Sequence, residues 1–261
     1  MRVSFLGTGA AGGVPLYGCT CMACSRAQES ANCIRRPCSA LIEAGSTRIL
    51  LDAGLMDLHE RFAPGYLQAI VLTHFHPDHV QGLLHLRWGV GQRIPVYCPQ
   101  DAEGFADLYK HPGLLEFRPL AKFEPVRIGA VTLTPLPLIH SKATFGYALE
   151  ALSGARFAYL TDTLDIPPRT ESFLKQWQPH DMAIDCSYPP MAEPKGHNDW
   201  TTALAVIKKV QPVHAWLTHI GHHLDAWLMA QGAMPDHISV ATDGAQALIG
   251  DPDADTGVQD A

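Results

Sequence analysis

The stretch "THFHPDH", residues 73–79, closes the apolar run "LQAIVLT", residues 67–73. His74 and His76 are two apart, so in extended backbone their side chains leave the same face. Pro77 stops a strand and suits the first position of a helix. Asp78 and His79 are adjacent at that turn and can point elsewhere. One pair aimed one way and a second pair aimed another suits two metal ions side by side. Imidazoles and carboxylates are donors for Zn²⁺ or Mn²⁺. Two such ions about 3.5–4 Å apart lower the pKa of a water and withdraw charge from a phosphoryl or carbonyl oxygen. The competing reading is a polar surface loop, but that reading does not call for four ligand-type residues directly after an apolar strand.

The composition around this motif is that of a globular protein with a substantial core: 261 residues, 47% hydrophobic and 17% charged. A formal net charge of -7 gives long nucleic acids no global attraction. The opening "MRVSFLGTGA" reads as a strand running into a glycine loop, without the apolar centre of a signal peptide. No apolar run has the length of a membrane span. These features make a cytoplasmic protein the expectation, with neither a membrane nor a nucleic acid as partner. Seven cysteines, three of them in "GCTCMAC" (18–24), argue for metal binding over a disulfide framework. Fourteen histidines is the more unusual count, and it directs the search for ligands.

Along the chain, strands recur with helices inserted. "SALIEAG" (39–45) and "TRILLDAG" (47–54) read as a hairpin around Gly45 and Ser46. "HVQGLLHLRWG" (79–89) has helical spacing, with Val80, Leu83, Leu84 and Arg87 on one face. "DWTTALAVIKKV" (199–210) reads as a helix with Asp199 as N-cap. Residues 1–250 read as a single domain, and the acidic 251–261 as a disordered tail. Strands tend to finish in His or Asp: Asp52, His74, His140, Asp162, Asp185 and His219. Groups at strand ends converge on one edge of a sheet, which is how a polar site is assembled on an apolar scaffold.

The H-x-H-x-D-H motif resembles the metallo-β-lactamase superfamily. That resemblance implies an α/β fold, an αββα sandwich of two mixed β-sheets flanked by helices, with a two-metal site at one edge. It assigns His74, His76 and His140 to one divalent ion. Asp78, His79 and His219 go to the other, and Asp162 is shared. Asp52 either orients a histidine ligand or serves as a turn residue.

A narrower resemblance covers nearly the whole chain except the acidic tail. "LGTGAAGGVPLYGCTCMACSRA" (6–27), "YKHPGLLEF" (109–117), "LPLIHSKATFGYALE" (136–150), "DCSYPP" (185–190) and "LTHIGHHLDAWLM" (217–229) resemble the PhnP family of cyclic phosphodiesterases of the carbon–phosphorus lyase pathway. It implies hydrolysis of 5-phospho-α-D-ribosyl 1,2-cyclic phosphate to α-D-ribose 1,5-bisphosphate, activity on 2′,3′-cyclic nucleotides, and a homodimer. It also makes His197, in "KGHNDW", a non-ligand catalytic histidine that protonates the leaving group, with Asp78 beside the reacting centre. Read from the residues alone, the solvated loop histidine is the favoured reading of His197, and the resemblance reverses that preference. Lys142 and Ser141, next to His140, are candidates for the substrate 5-phosphate. Trp88 reads as packing, in the core or at an interface.

The family resemblance also provides a role for the three clustered cysteines. Cys19, Cys21 and Cys24, with His222, would hold a structural Zn²⁺, a closed site that activates no water. Spacing alone leaves His223 as a competing fourth donor. Cys33, Cys38, Cys98 and Cys186 read as small buried residues. This reading expects about three metals per chain. Its rivals are a tRNA 3′-processing endonuclease of the same superfamily and a non-catalytic accessory protein resembling PqqB. The first is disfavoured because no basic or glycine-rich arm is visible, the second because the ligand set is complete.

Overall fold

The computed structural model describes residues 1–232 and 234–250, so the acidic 251–261 lies outside the described residues. Strands β1 (Arg2–Gly7), β2 (Ser39–Ala44), β3 (Thr47–Leu51), β4 (Ala69–Val71), β5 (Ile94–Pro99) and β6 (Leu115–Leu120) form one sheet in that order. The second sheet holds β7 (Val126–Ile128), β8 (Val131–Pro137), β9 (Phe145–Ala151), β10 (Arg156–Leu160), β11 (Asp181–Asp185), β12 (His214–Thr218) and β13 (Ile238–Val240), again in sequence order. Last, β14 (Gln246–Leu248) returns to pair with β1. Both sheets are mixed. β3 to β6 are mutually parallel, as are β10 to β13, and β1–β2–β3 and β8–β9–β10 are antiparallel.

Period-2 alternation explains how the sheets pack. Ile49, Leu51, Val71, Phe157 and Tyr159 face the shared core between the sheets. Leu50 and Ile70, between those positions, face helices α2 (Leu58–Arg61), α3 (Pro77–Val80), α4 (Leu83–Leu86) and α5 (Ala106–Lys110). Ala158 and Leu160 face α6 (Pro168–Trp177), α7 (Trp200–Val210) and α8 (His222–Leu228). The parallel strands are thus covered on both faces, which is why they read as continuous apolar runs. The result is the expected αββα sandwich. Near the N-terminus, α1 (Met22–Glu29) packs beside α8.

Several local readings hold. β2 and β3 pair as a hairpin, with Ala44 opposite Thr47 and Gly45 at φ 58° in the turn. Asp199 caps α7 by accepting from Thr202 N–H at 2.8 Å.

Two readings need correction. The helix expected over 79–89 is broken into α3 and α4. The loop after β3 competes for its backbone: Ala53 N–H donates to His79 O at 2.8 Å, and Gly82 N–H donates to Ala53 O at 2.9 Å. A Cβ on Gly82 would lie 2.1 Å from Leu55 O, so only glycine admits the loop so closely. Trp88 is not a core residue. It is 67% exposed, with the buried Arg87 guanidinium over its ring at 4.7 Å. Cys38, Cys98 and Cys186 are buried as expected, whereas Cys33 is half-exposed.

Candidate metal centre

The parallel strands of both sheets point their C-terminal ends at one edge, where ligands gather in open α/β sheets. Asp52 follows β3, His74 lies three residues beyond β4, Asp162 follows β10 by two, Asp185 ends β11, and His219 follows β12. Asp52, Asp162 and His219 all adopt left-handed backbone, with φ of 57°, 58° and 60°. Such φ values are uncommon outside glycine and cluster at functional sites, where surrounding structure holds them. The conformation turns each side chain off its strand and into the common edge.

The structure brings together every donor that the sequence singled out there. His74 Nε2 lies 2.7 Å from His76 Nδ1, and His140 Nε2 lies 3.1 Å from the same atom. Asp78, His79 and His219 form a second group: His79 Nε2 is 3.2 Å and His219 Nε2 4.0 Å from Asp78 Oδ2. Asp162 stands between them. Its oxygens lie 3.8 Å from His74 Nε2 and 3.7 Å from His140 Nε2 on one side. On the other they lie 3.2 Å from His79 Nε2 and 3.4 Å from His219 Nε2.

The opposite ring nitrogens fix which atoms carry lone pairs. Gly196 O, which can only accept, lies 3.0 Å from His140 Nδ1. Asp52 Oδ2 lies 2.9 Å from His79 Nδ1. Thr73 Oγ1 donates to Asp52 and meets His74 Nδ1 at 3.0 Å, so it accepts from that N–H. Ser187 Oγ donates to Asp185 at 2.8 Å and meets His219 Nδ1 at 2.8 Å in the same way. With Nδ1 protonated on all four rings, Nε2 is the nitrogen left to offer a lone pair to a metal. The buried Nε2 atoms of His79 and His219 make no hydrogen bond among the described residues. Converging lone pairs beside two carboxylates fit divalent cations and fit little else.

Electrostatics agree with that fit. Burial holds His74, His76 and His140 below the usual imidazole range, in the neutral form a metal needs. Burial also lowers His79 and His219, but Asp162 beside them overrides it and holds His219 up to about 9. Burial opposes the Asp78 charge, yet the imidazoles of His219 and His79 keep its carboxyl well below the ordinary value. With no cation, protons take the place of positive charge at this second group, so a metal must displace them.

His197 is in neither of those two groups, but with Asp162 and His219 it forms a further cluster whose donor atoms lie within 4.8 Å of one another, its Nδ1 3.9 Å from Asp162 Oδ1. Its ring stacks on His219 with centroids 4.7 Å apart at 13°, and Asp185 Oδ2 lies 2.7 Å from its Nδ1. The sequence reading named Asp185 only as a strand-ending acid, so this pairing was missed, as were Thr73 and Ser187. Ser141 Oγ is 3.4 Å from His76 Nε2. Lys142 Nζ is drawn toward Asp101 at 3.9 Å.

The cysteine cluster lies on the neighbouring loop. Cys19, Cys21, Cys24 and His222 can each place a donor atom within 4.8 Å of the others. His222 Nδ1 is 3.3 Å from Cys19 Sγ and 3.6 Å from Cys21 Sγ, while His223 stays outside the group. Burial pushes the Cys24 thiol up to about 11. Arg26 of α1 and Arg35 both grip Asp225 of α8, at 3.0 and 3.1 Å, so the two helices are braced beside the cysteines as well.

The sequence profile of the beta-lactamase superfamily domain matches residues 47–220, which span every His and Asp of the donor groups at this edge. The chain belongs to the metallo-β-lactamase superfamily of hydrolases. The superfamily fold uses divalent metal ions, and the His/Asp clusters here fit them. Among solved structures, a diphosphatase from the PhnP family is 26% identical, with TM-score 0.78 over 95% of this chain and 97% of that one. Among curated relatives, the octanoyltransferase of Porphyromonas gingivalis is 27% identical over 95% of this chain and 52% of its own length. Coenzyme PQQ synthesis protein B of Methylobacterium radiotolerans is 29% identical over 61% of this chain and 64% of its own. The chain thus spans about half of the first curated relative and under two thirds of the second. Among the described residues, no helix is long and apolar enough to cross a membrane.

Proposed function

We propose that this protein is a metal-dependent phosphodiesterase that opens a small cyclic phosphate, 5-phospho-α-D-ribosyl 1,2-cyclic phosphate, to α-D-ribose 1,5-bisphosphate. The observation that carries the reading is the pairing of two donor groups across Asp162 with a His197–Asp185 pair packed against them. The PhnP-family diphosphatase, similar along nearly the full chain, supports phosphoryl chemistry.

In this reading His74, His76 and His140 hold one divalent ion, Mn²⁺ or Zn²⁺. Asp78, His79 and His219 hold a second, and Asp162 serves both. When bound, such a pair lowers the pKa of water and offsets charge on phosphoryl oxygens. Asp52 holds His79 directly and His74 through Thr73, fixing the tautomers that ligation requires. The Asp185 carboxylate accepts from His197 Nδ1–H, which leaves Nε2 to carry the proton that a departing ribose oxygen needs. Ser141, whose hydroxyl lies 3.4 Å from His76 Nε2, is the first candidate for a substrate phosphate, and Lys142, 3.9 Å from Asp101, is the second. The Cys19–Cys21–Cys24–His222 group takes a structural Zn²⁺ and ties the N-terminal loop to the loop bearing His219. A homodimer follows from the same resemblance and would scatter light as twice the 28.4 kDa chain.

A second reading has support in the same neighbour: the geometry also serves a diphosphate P–O–P bond. Incubating the Mn²⁺-loaded protein with the ribosyl cyclic phosphate and with a nucleoside diphosphate sugar, and following both by ³¹P NMR, tests the two. The proposed function predicts ribose 1,5-bisphosphate from the first at the higher rate. Faster release of monophosphates from the second substrate would move the assignment to diphosphatase.

A further inference from the structure

Asp162 is shared by both donor groups, and none of the contacts above explains what holds its carboxylate in place. Its two oxygens have different neighbours. Oδ1 lies 3.8 Å from His74 Nε2, 3.7 Å from His140 Nε2 and 3.4 Å from His219 Nε2, so one atom faces both groups. Oδ2 accepts from the Thr161 hydroxyl at 2.8 Å and lies 3.2 Å from His79 Nε2. Rotation about the Cβ–Cγ bond would carry Oδ1 out of its position, and the bond from Thr161 opposes that rotation. Thr161 is backed in turn by buried polar groups. It follows β10, two residues after Tyr159, so both side chains leave the same face, toward the core between the sheets. Cys38, immediately before β2 of the other sheet, meets them there. Its Sγ lies 3.7 Å from Thr161 Oγ1, 3.3 Å from the Tyr159 hydroxyl and 3.2 Å from Thr218 Oγ1 at the end of β12. All four residues are buried.

The protons set the direction of this chain. An ionised carboxylate only accepts, so Thr161 gives Asp162 its one hydroxyl proton. Among the described residues, the hydroxyls of Tyr159 and Thr218 have the Cys38 sulfur as their one partner, so both donate to it. Burial pushes the Cys38 thiol up to about 11, so it keeps its proton, and the lone pair on Thr161 Oγ1 is the acceptor left for it. Every bond then runs toward Asp162 Oδ2, and each polarises the next. Apolar groups of the same shape would fill this space with little loss of stability. What the polar groups add is an orientation for the carboxylate on which they end. We infer that Thr161, with Cys38 behind it, is the positioning residue of the shared aspartate, holding Oδ1 between the two donor groups so that one carboxylate serves two ions. The inference rests on the two-metal reading and not on the identity of the substrate.

Metal binding tests it without requiring turnover. The full-length protein, freed of metal at the edge and carrying EPR-silent Zn²⁺ at the cysteines, is titrated with Mn²⁺. The native protein should take up two Mn²⁺ ions at the edge and show the spectrum of an exchange-coupled pair. Thr161→Val keeps the shape and removes the proton. It should weaken binding of the pair by about tenfold or more. At full occupancy its coupled spectrum should give way to that of isolated ions. Thr161→Ser should restore both properties. Cys38→Ala should weaken binding severalfold, and Cys38→Ser, which keeps a donor, should not. Native affinity and coupling in Thr161→Val would overturn the inference. Equal losses in Thr161→Ser and Thr161→Val would also overturn it, because shape and not the proton would then matter. If Thr161→Val does not fold, Cys38→Ala decides, and unchanged metal binding in that variant overturns the inference. A native protein that takes up a single ion at this edge would refute the two-metal reading and the inference with it. A protein that meets every expectation here but opens no cyclic phosphate would refute the proposed substrate and leave the positioning role standing.

Discussion

The two sheets contribute to the metal edge by the same device and put it to different uses. In the first sheet, buried Asp52 after β3 lies 2.9 Å from His79 Nδ1 and reaches His74 through the Thr73 hydroxyl. In the second, buried Asp185 at the end of β11 lies 2.7 Å from His197 Nδ1 and reaches His219 through the Ser187 hydroxyl. Each carboxylate thus orients one imidazole directly and one through a hydroxyl. Both histidines served by Asp52 belong to the donor groups. Of the two served by Asp185, His219 belongs to the second donor group, while His197 is in neither of the two main groups, clusters only with Asp162 and His219, and is 20% exposed. In the proposed function, this difference separates a half that would only hold metal from a half that would also handle a proton.

Asp162 lies across both halves, so its loss has the largest effect. Asp162→Ala should abolish occupancy of both catalytic ions and lower kcat/KM by about 10³-fold or more. Metal counting by mass spectrometry checks this, with the cysteine-bound ion retained. Asp185→Asn should lower kcat by roughly 10- to 100-fold while weakening only the ion at His219. Asp52→Asn should instead act through metal affinity, by about 10- to 100-fold, with activity recovered at high Mn²⁺. If both variants recovered fully with added Mn²⁺, the two halves would be equivalent.

Loading should also depend on pH in a defined direction. In the cation-free protein, Asp162 holds His219 up to about 9, and that proton must leave when metal binds. Metal affinity therefore rises with pH across the range up to about 9, by at most about tenfold per unit for each displaced proton. Chelator competition at pH 6, 7 and 8 measures it. Cys21→Ser should have the smallest catalytic effect, a severalfold loss, with one metal fewer and a melting temperature lower by several degrees. Arg26 and Arg35 still hold Asp225 in that variant, so the fold should survive. Unchanged melting and full activity would remove the stapling role.

Much of the first half of this comparison could be read in the sequence, because H-x-H-x-D-H packs four donors into six residues. The sandwich was legible for a similar reason, since period-2 apolar runs declare which strands are buried on both faces. His140, Asp162 and His219 came from family resemblance and their places after strands. The Asp185–His197 pair was not legible: the two are twelve residues apart on separate segments, and nothing local links them. Thr73 and Ser187 carry no sequence signal, because hydroxyls are common and only geometry makes them relays. The left-handed backbone at Asp52, Asp162 and His219 was equally hidden, since non-glycine residues do not advertise a positive φ. The broken helix after His79 was masked by its apolar spacing, with Gly82 the only visible hint.

The claim that His197 delivers a proton and holds no metal is tested by varying the leaving group. His197→Ala should retain its metals and cut kcat by about 10²-fold on a diester with an alkoxide leaving group, which needs a proton. On bis(p-nitrophenyl) phosphate, whose phenolate leaves without one, the same variant should lose only severalfold. Equal losses on both substrates, together with fewer bound metals, would make His197 a ligand and contradict the account.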